Sequence, residues 1–435
     1  MPKKVLIISY IYPPAPGGGS PRLVRITRAL AEQGFEVLVL TVKSSLFRAK
    51  DSSLLSEVEN RARIYRTESL DPKRIAYLLA RFFSRKKSPQ ITQPSSTSSP
   101  AFFKWLWRMF SRLRNWLLIP DEYIGWLPFA LVRASRIILK EKPALIITSS
   151  SPHSVQLVGL ALKKIFKIPW LADFRDAWAR HPFLAFPTNA HCKLNQVLEK
   201  IVVKNAELIS TAYGLKNWQD AYPGLESKFH YLPNGYREQD FAQAEKKNLP
   251  GFNLLYLGAF YGPQSPEVFF RSLRFALEKH PEIKKELKVW MVGQFNPEHL
   301  SLISELELSE WVQVQEYLPH SQALGWMLGA FALVLILAGE KESFVVPGKV
   351  FEYLRSPAWI LALLPEGETA EILKKAGGVI ICSPGKVEET AEAIFQLFQF
   401  WKEKKIPERN QKWVEQFEEK NLSKILVELV NSLMK

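Results

Sequence analysis

The chain has 435 residues, 47% hydrophobic and 23% charged, which suits two buried cores of about 200 residues each and excludes a disordered polymer. Its two cysteines, Cys192 and Cys382, stand far apart with no second Cys or His at ligand spacing, so neither a disulfide framework nor a zinc site is expected, and a reducing cytoplasm is favoured. The net charge of +15 is uneven, because Pro72 to Leu118 holds ten Lys or Arg and no Asp or Glu.

Met1-Pro-Lys-Lys leads into VLIISYIYPP, too short for a signal-peptide core, and Val5–Ser9 reads as a first strand. A loop over Pro13–Ser20, a helix over Pro21–Gln33 and a strand over Glu36–Thr41 complete a βαβ unit. Such a unit presents ligands at the carboxyl ends of its strands. Gly17, Gly18 and Gly19 in that loop permit close approach of a ligand to the backbone, although a flexible surface loop has the same composition.

Residues 85–100 are rich in Ser, Pro and Gln without hydrophobic period and read as a disordered loop. The segment 101–118, AFFKWLWRMFSRLRNWLL, interleaves Phe102, Phe103, Trp105, Trp107, Phe110 and Trp116 with cations. That pattern suits insertion into an anionic membrane surface, and residues 72–118 are expected to make that contact. A helix whose aromatics are simply core fits it as well. No nucleic-acid motif accompanies the charge, so no nucleic-acid partner is expected.

Strands follow at Ala144–Thr148, Trp170–Asp173, Leu208–Thr211 and His230–Leu232, with a helix over Ser154–Phe166, giving one doubly wound sheet. After the polar stretch Gln239–Pro250 a second series begins. Its strands are Asn253–Leu257, Lys288–Val292, Val312–Gln315, Leu333–Leu337, Trp359–Leu363 and Gly378–Ile381, and helices over Val387–Glu403 and Asn410–Met434 close the chain. The expected fold class is α/β with two Rossmann-like domains, 1–238 and 239–409, and a C-terminal helix, 410–435, returning to the first. No run of about 18 apolar residues predicts a spanning helix, so the protein is expected to be cytoplasmic and peripheral at the inner face of a membrane.

The segment ESFVVPGKVFEYL, residues 342–354, carries the chemistry. If Pro347-Gly-Lys opens a helix, free backbone N–H groups there suit an anion and Lys349 adds a full charge. Glu352 lies one helical turn on, where a carboxylate can accept bonds from two vicinal hydroxyls. An exposed Lys–Glu pair on a helix explains the same spacing. No Asp-x-Asp occurs to hold a divalent ion on a diphosphate, and no metal site is expected.

PGKVFEYL resembles the sugar-nucleotide motif of GT-B glycosyltransferases, most closely those of glycosyltransferase family 4. ISYIYPPAPGGGSPRLVRITRALAEQGFEVLVLT, ADFRDAW, AELISTAYGL, YLPNGY and LALLPEGETAEIL follow in the family's order over nearly the whole chain. The resemblance implies two domains facing across a cleft and transfer of a sugar from a nucleotide-diphosphate donor with retention of configuration. It requires neither metal nor cofactor beyond the donor substrate. It places Lys349 and the N–H groups around Gly348 on the diphosphate, Glu352 on the ribose, and Asn234 at the nucleotide pocket. Gly367 and Glu368 join that side by the same resemblance, and Gly17–Gly19 face the donor.

Arg175 and Asp176 follow a strand and are candidates to orient acceptor or diphosphate, or an intradomain ion pair. His153 is a catalytic candidate although it stands a few residues past the strand end where the family's histidine sits. Glu342 precedes Glu352 by ten positions rather than the family's eight, so it is a sugar-side candidate or a solvated loop carboxylate. The loop from Gly258 to Pro266 lacks the Arg and Lys that many members place on the diphosphate. The acceptor expected is a lipid-linked or cell-surface polysaccharide. A nucleotide-sugar epimerase of similar shape and a non-catalytic sugar-nucleotide-binding protein are the competing classes.

Overall fold

The apolar runs form strands because both faces of a parallel sheet are covered by helices, so each central strand is buried along its whole length. In this computed structural model, residues 2–15, 19–43, 52–72, 116–181, 186–260, 264–337 and 339–434 are described. Gly17, Gly18 and the basic aromatic segment from Lys73 to Asn115 lie outside them. Two compact units result, Met1–Leu232 with Ser423–Lys435, and Pro233–Leu422.

The first unit contains β1 (Lys4–Ile8), α1 (Ser20–Glu32), β2 (Glu36–Val42), α2 (Ser52–Ser56), β3 (Ala62–Thr67), α3 (Leu127–Glu141) and β4 (Leu145–Ser150). It continues through α4 (Ser154–Phe166), β5 (Trp170–Phe174), α5 (Asn189–Asn205), β6 (Leu208–Thr211), α6 (Leu215–Ala221) and β7 (Phe229–Tyr231). All seven strands are parallel, in the order β3-β2-β1-β4-β5-β6-β7. Leu6, Ile8, Leu38, Ile146 and Trp170 centre its core. Sequence reading missed β3, whose ARIYRT carries polar residues at alternate positions because it is the sheet's edge and only partly buried.

The described residues flanking the basic aromatic segment are held by the sheet. Tyr10, just past β1, donates from its hydroxyl to Asp71 Oδ2 at 2.6 Å, and Leu70 N–H bonds Gly125 O at 3.2 Å.

The second unit contains α7 (Glu238–Gln243), β8 (Phe252–Leu257), α8 (Glu267–Lys279), β9 (Leu287–Val292), α9 (Pro297–Glu305), β10 (Val312–Gln315) and α10 (His320–Gly329). Then come β11 (Ala332–Ile336), α11 (Lys349–Arg355), β12 (Trp359–Leu363), α12 (Glu368–Ala376), β13 (Val379–Cys382), α13 (Val387–Lys402) and α14 (Gln411–Glu415), while α15 (Glu419–Leu433) begins in this unit and from Ser423 onward belongs to the first. Its six parallel strands run β10-β9-β8-β11-β12-β13. Phe252, Leu254, Val289, Val334, Leu361 and Ile394 lie at its centre.

Two boundaries differ from the sequence reading. The division falls after Leu232 rather than after residue 238, and α7 belongs to the second unit, where Glu238 pairs with Arg355 of α11. The helix expected over Asn410–Met434 is broken into α14 and α15. Tyr236 runs alongside the break, its N–H bonding Phe417 O at 3.1 Å and its carbonyl accepting from Glu419 N–H at 2.8 Å. Gly235 allows that approach, since a Cβ there would lie 2.2 Å from Phe417 O.

Candidate functional site

In the second unit the strand order reverses between β8 and β11, and the loops after these strands carry the candidate residues. Such a switch point opens a crevice at the carboxyl ends of the sheet. Helix α11 starts after Pro347-Gly348 and stops at Ser356, before Pro357, a residue that disfavours helical geometry just ahead of it. Its Val350, Phe351 and Leu354 are buried, which fixes the rotation of the helix.

That rotation turns Lys349 and Tyr353, four residues apart, onto the end of β8. Lys349 Nζ donates to Leu257 O at 3.0 Å, and Tyr353 Oη accepts from Leu257 N–H at 3.3 Å. The ammonium lies 4.4 Å from the centroid of the Tyr256 ring. Burial pushes the Lys349 pKa down to about 8, since taking a charge out of water disfavours its charged form. Among the described residues no carboxylate lies within salt-bridge distance of it.

Glu352, one turn further, directs Oε1 to His320 Nε2 at 2.7 Å rather than to Lys349. Asn234 lies beside Gly348, where a Cβ would be 3.5 Å from the Asn234 amide nitrogen. Gly258 allows the ammonium its place: at φ +126° its missing Cβ would stand 3.3 Å from Lys349 Nζ.

Glu342 is buried and accepts from Gln264 Nε2 at 2.8 Å. Gln264 belongs to the loop that lacks the Arg and Lys of the family pattern. Gly367 has φ +153° and a Cβ there would fall 1.9 Å from Ser343 O, so the loop before α12 admits only glycine. The next residue, Glu368, donates its N–H to that same carbonyl at 2.7 Å. Lys349, Gly348, Asn234 and Glu352 are thus neighbours around α11, while Glu342, Gly367 and Glu368 are tied to the 339–345 turn.

In the first unit Arg175 and Asp176 follow β5. They form an ion pair, with Arg175 Nη2 2.8 Å from Asp176 Oδ2, and Ser151 Oγ donates to the same oxygen at 2.7 Å. Burial opposes ionisation of Asp176, yet the Arg175 charge and these hydrogen bonds outweigh it and hold its pKa below the usual carboxylate range. Gly19 leaves room for the guanidinium, since a Cβ there would meet Arg175 Nη1 at 2.1 Å. His153 immediately precedes α4, is buried and stacks on Trp178 with ring centroids 5.2 Å apart. Burial lowers its pKa to about 3, so it is neutral at pH 7.

Sequence reasoning missed Arg22, Asp173, Tyr256, His320, Gln264 and Tyr353. Tyr353 was accessible, because its i+4 spacing from Lys349 puts both on one helical face. Nothing in the order of residues couples His320 to Glu352 or Arg22 to Asp173.

No protein-family model and no curated protein matches the sequence. Solved structures do match it in shape over the full length. Sucrose-phosphate synthase from Thermosynechococcus elongatus aligns with a TM-score of 0.59 at 15% identity, covering 99% of this chain and 96% of that one. The UDP-forming α,α-trehalose-phosphate synthase from Burkholderia xenovorans gives 0.61 at 12% identity, covering 99% and 100%. A Listeria monocytogenes protein assigned as a UDP-N-acetylglucosamine 2-epimerase gives 0.54 at 11%, covering 99% and 96%. At such identities the likeness speaks of fold, and the chain has the GT-B glycosyltransferase fold, with parallel sheets of seven and six strands among its described residues.

Proposed function

We propose that the protein is a retaining glycosyltransferase that moves a sugar from a nucleoside-diphosphate donor to a lipid-linked or cell-surface saccharide. The observation that carries this reading is Lys349, a desolvated ammonium without a carboxylate partner, set one turn from Glu352 at the switch point of the second sheet. As the glycosidic bond to the diphosphate breaks, negative charge grows on the leaving oxygens. An ammonium held in a partly dry site stabilises that charge more than the ground state. Glu352, held by His320, accepts hydrogen bonds from a ribose diol. Arg175 and Asp176 orient the acceptor in the first unit.

In this reading turnover is driven by Lys349 and backbone dipoles, with no metal ion required. The experiment is a panel of UDP-, GDP- and ADP-sugars assayed for nucleoside diphosphate release in EDTA with saccharide-lipid acceptors. Release from one donor class that persists in chelator, with the anomeric centre unchanged in the product, is the expected result. Release that needs magnesium contradicts the proposed metal independence. A free epimerised sugar identifies the epimerase class instead, and binding without turnover identifies a carrier.

A further inference from the structure

We infer that the outer face of α3, α4 and α5 is a docking surface for an anionic lipid bilayer. The three helices lie side by side on one face of the first sheet, α4 between the other two. Their solvent side exposes Val132, Leu139, Ile165, Leu194 and Val197, each between 43% and 68% accessible. Interleaved with them, Arg136, Lys140, Lys164, Lys193, Lys200 and Lys204 are exposed, as are Lys142 and Lys167 at the C-terminal ends of α3 and α4.

The helices carry two carboxylates, and both turn inward. Glu141 meets Lys4 and Arg63, and Glu199 meets the Tyr222 hydroxyl and Ala179 N–H. The outer face is therefore cationic without compensation, and none of its eight exposed cations lies within salt-bridge distance of a described carboxylate.

Two features extend this face. At the start of α3 it opens into a cavity of about 400 Å³ whose walls include Lys43, Arg66, Arg133 and Arg136 against one acid, Glu68. The buried Nε of Arg133 has no hydrogen-bond partner there. At the start of α5 the exposed Trp116 packs edge-on against His191, one turn before Leu194.

Large exposed aliphatic residues among lysines fit the boundary of a bilayer, where apolar side chains enter the acyl region and ammonium groups reach headgroup phosphates. A nucleic acid would instead be gripped by aromatic stacking and arginine forks. The cavity is roomy enough to admit a lipid headgroup, and its cations suit the headgroup phosphate. The residues of this surface are other than those between 73 and 115, and the inference does not depend on the transfer reaction.

The test is co-sedimentation of the full-length protein with phosphatidylcholine vesicles and with vesicles that also contain phosphatidylglycerol. Binding only to the anionic vesicles is expected. It should fall about tenfold or more when Arg136, Lys140, Lys164, Lys193 and Lys200 are changed to Glu together. A second variant, Val132→Ser/Leu139→Ser/Ile165→Ser, should lose the fraction that resists high salt. A far-UV circular dichroism spectrum and thermal melt matching the unaltered protein report that each variant is folded, a readout that does not depend on the donor site. Equal binding to both vesicles, undiminished binding of the charge-reversed protein, or displacement of vesicles by duplex RNA overturns the inference.

Discussion

Replacing Lys349 with alanine should lower kcat by about 10²–10³-fold, the usual cost of deleting a group that stabilises developing charge. Donor KM should move much less, because the ammonium matters most as the diphosphate departs. Part of any loss could come from the unsatisfied Leu257 carbonyl, at about 1 kcal/mol. A thermal melt measures that part separately, and Lys349→Arg should recover activity by keeping the charge. An unaltered rate in the alanine variant would make the residue a structural clamp on β8 and nothing more.

The same group sets a pH dependence. With its folded pKa lowered to about 8 from 10.5, Lys349 loses its charge as pH rises through 8. The kcat/KM profile should therefore decline above pH 8, and the arginine variant should lack that limb. Stability moves the other way. Between pH 8 and 10.5 the unfolded chain binds the proton that the folded chain has released, so this group alone favours folding as pH rises across that window. Loss of activity there is then not loss of fold.

The second large effect belongs to the first unit. Arg22 on α1 and Asp173 on β5 form a fully enclosed pair, Nε to Oδ2 at 2.9 Å and Nη2 to Oδ1 at 2.5 Å, with side chains 1% and 0% exposed. Ser149 and Ser210 each donate to the carboxylate at 2.7 Å, and Arg22 Nη1 bonds Leu232 O at 2.8 Å. Burial works against ionised Asp173, but Arg22 and the serines hold its pKa below the carboxylate range. Arg22→Met should cost about 3–5 kcal/mol, because it strands a buried charge.

In the wild type Asp173 contributes stability above the unfolded carboxylate pKa and loses it as pH falls. In the variant the stranded carboxyl is driven to protonate. The deficit measured by urea unfolding of this unit should therefore shrink as pH drops from 7 toward 4. Arg22→Met/Asp173→Leu should recover much of it. A cost under about 1 kcal/mol for the single change would show that water reaches the pair.

The central strands were legible because parallel-sheet strands read as unbroken apolar runs, and Trp359–Leu363, buried along its length, falls where the pattern puts it. The edge strand β3 was not, since its polar alternation gives no such run. At the site, Lys349 and Glu352 were visible through helical spacing, which is local. The bonds that direct them, Lys349 to Leu257 and Glu352 to His320, join residues 92 and 32 positions apart and depend on how the sheet is wound. The DFRD segment was legible as charged, but not that Asp173 is sealed in the core while Arg175 and Asp176 remain only partly buried. That difference comes from the alternation of β5 and from α1 packing over it.

The most direct test of the donor site is a calorimetric titration of UDP, GDP and ADP into the protein and into Glu352→Ala. One nucleotide should bind the unaltered protein, and the substitution should weaken that nucleotide by about 10- to 150-fold, the value of one charge-assisted hydrogen bond to a ribose. Equal affinity in both proteins would contradict the assignment of α11 as the nucleotide-gripping helix.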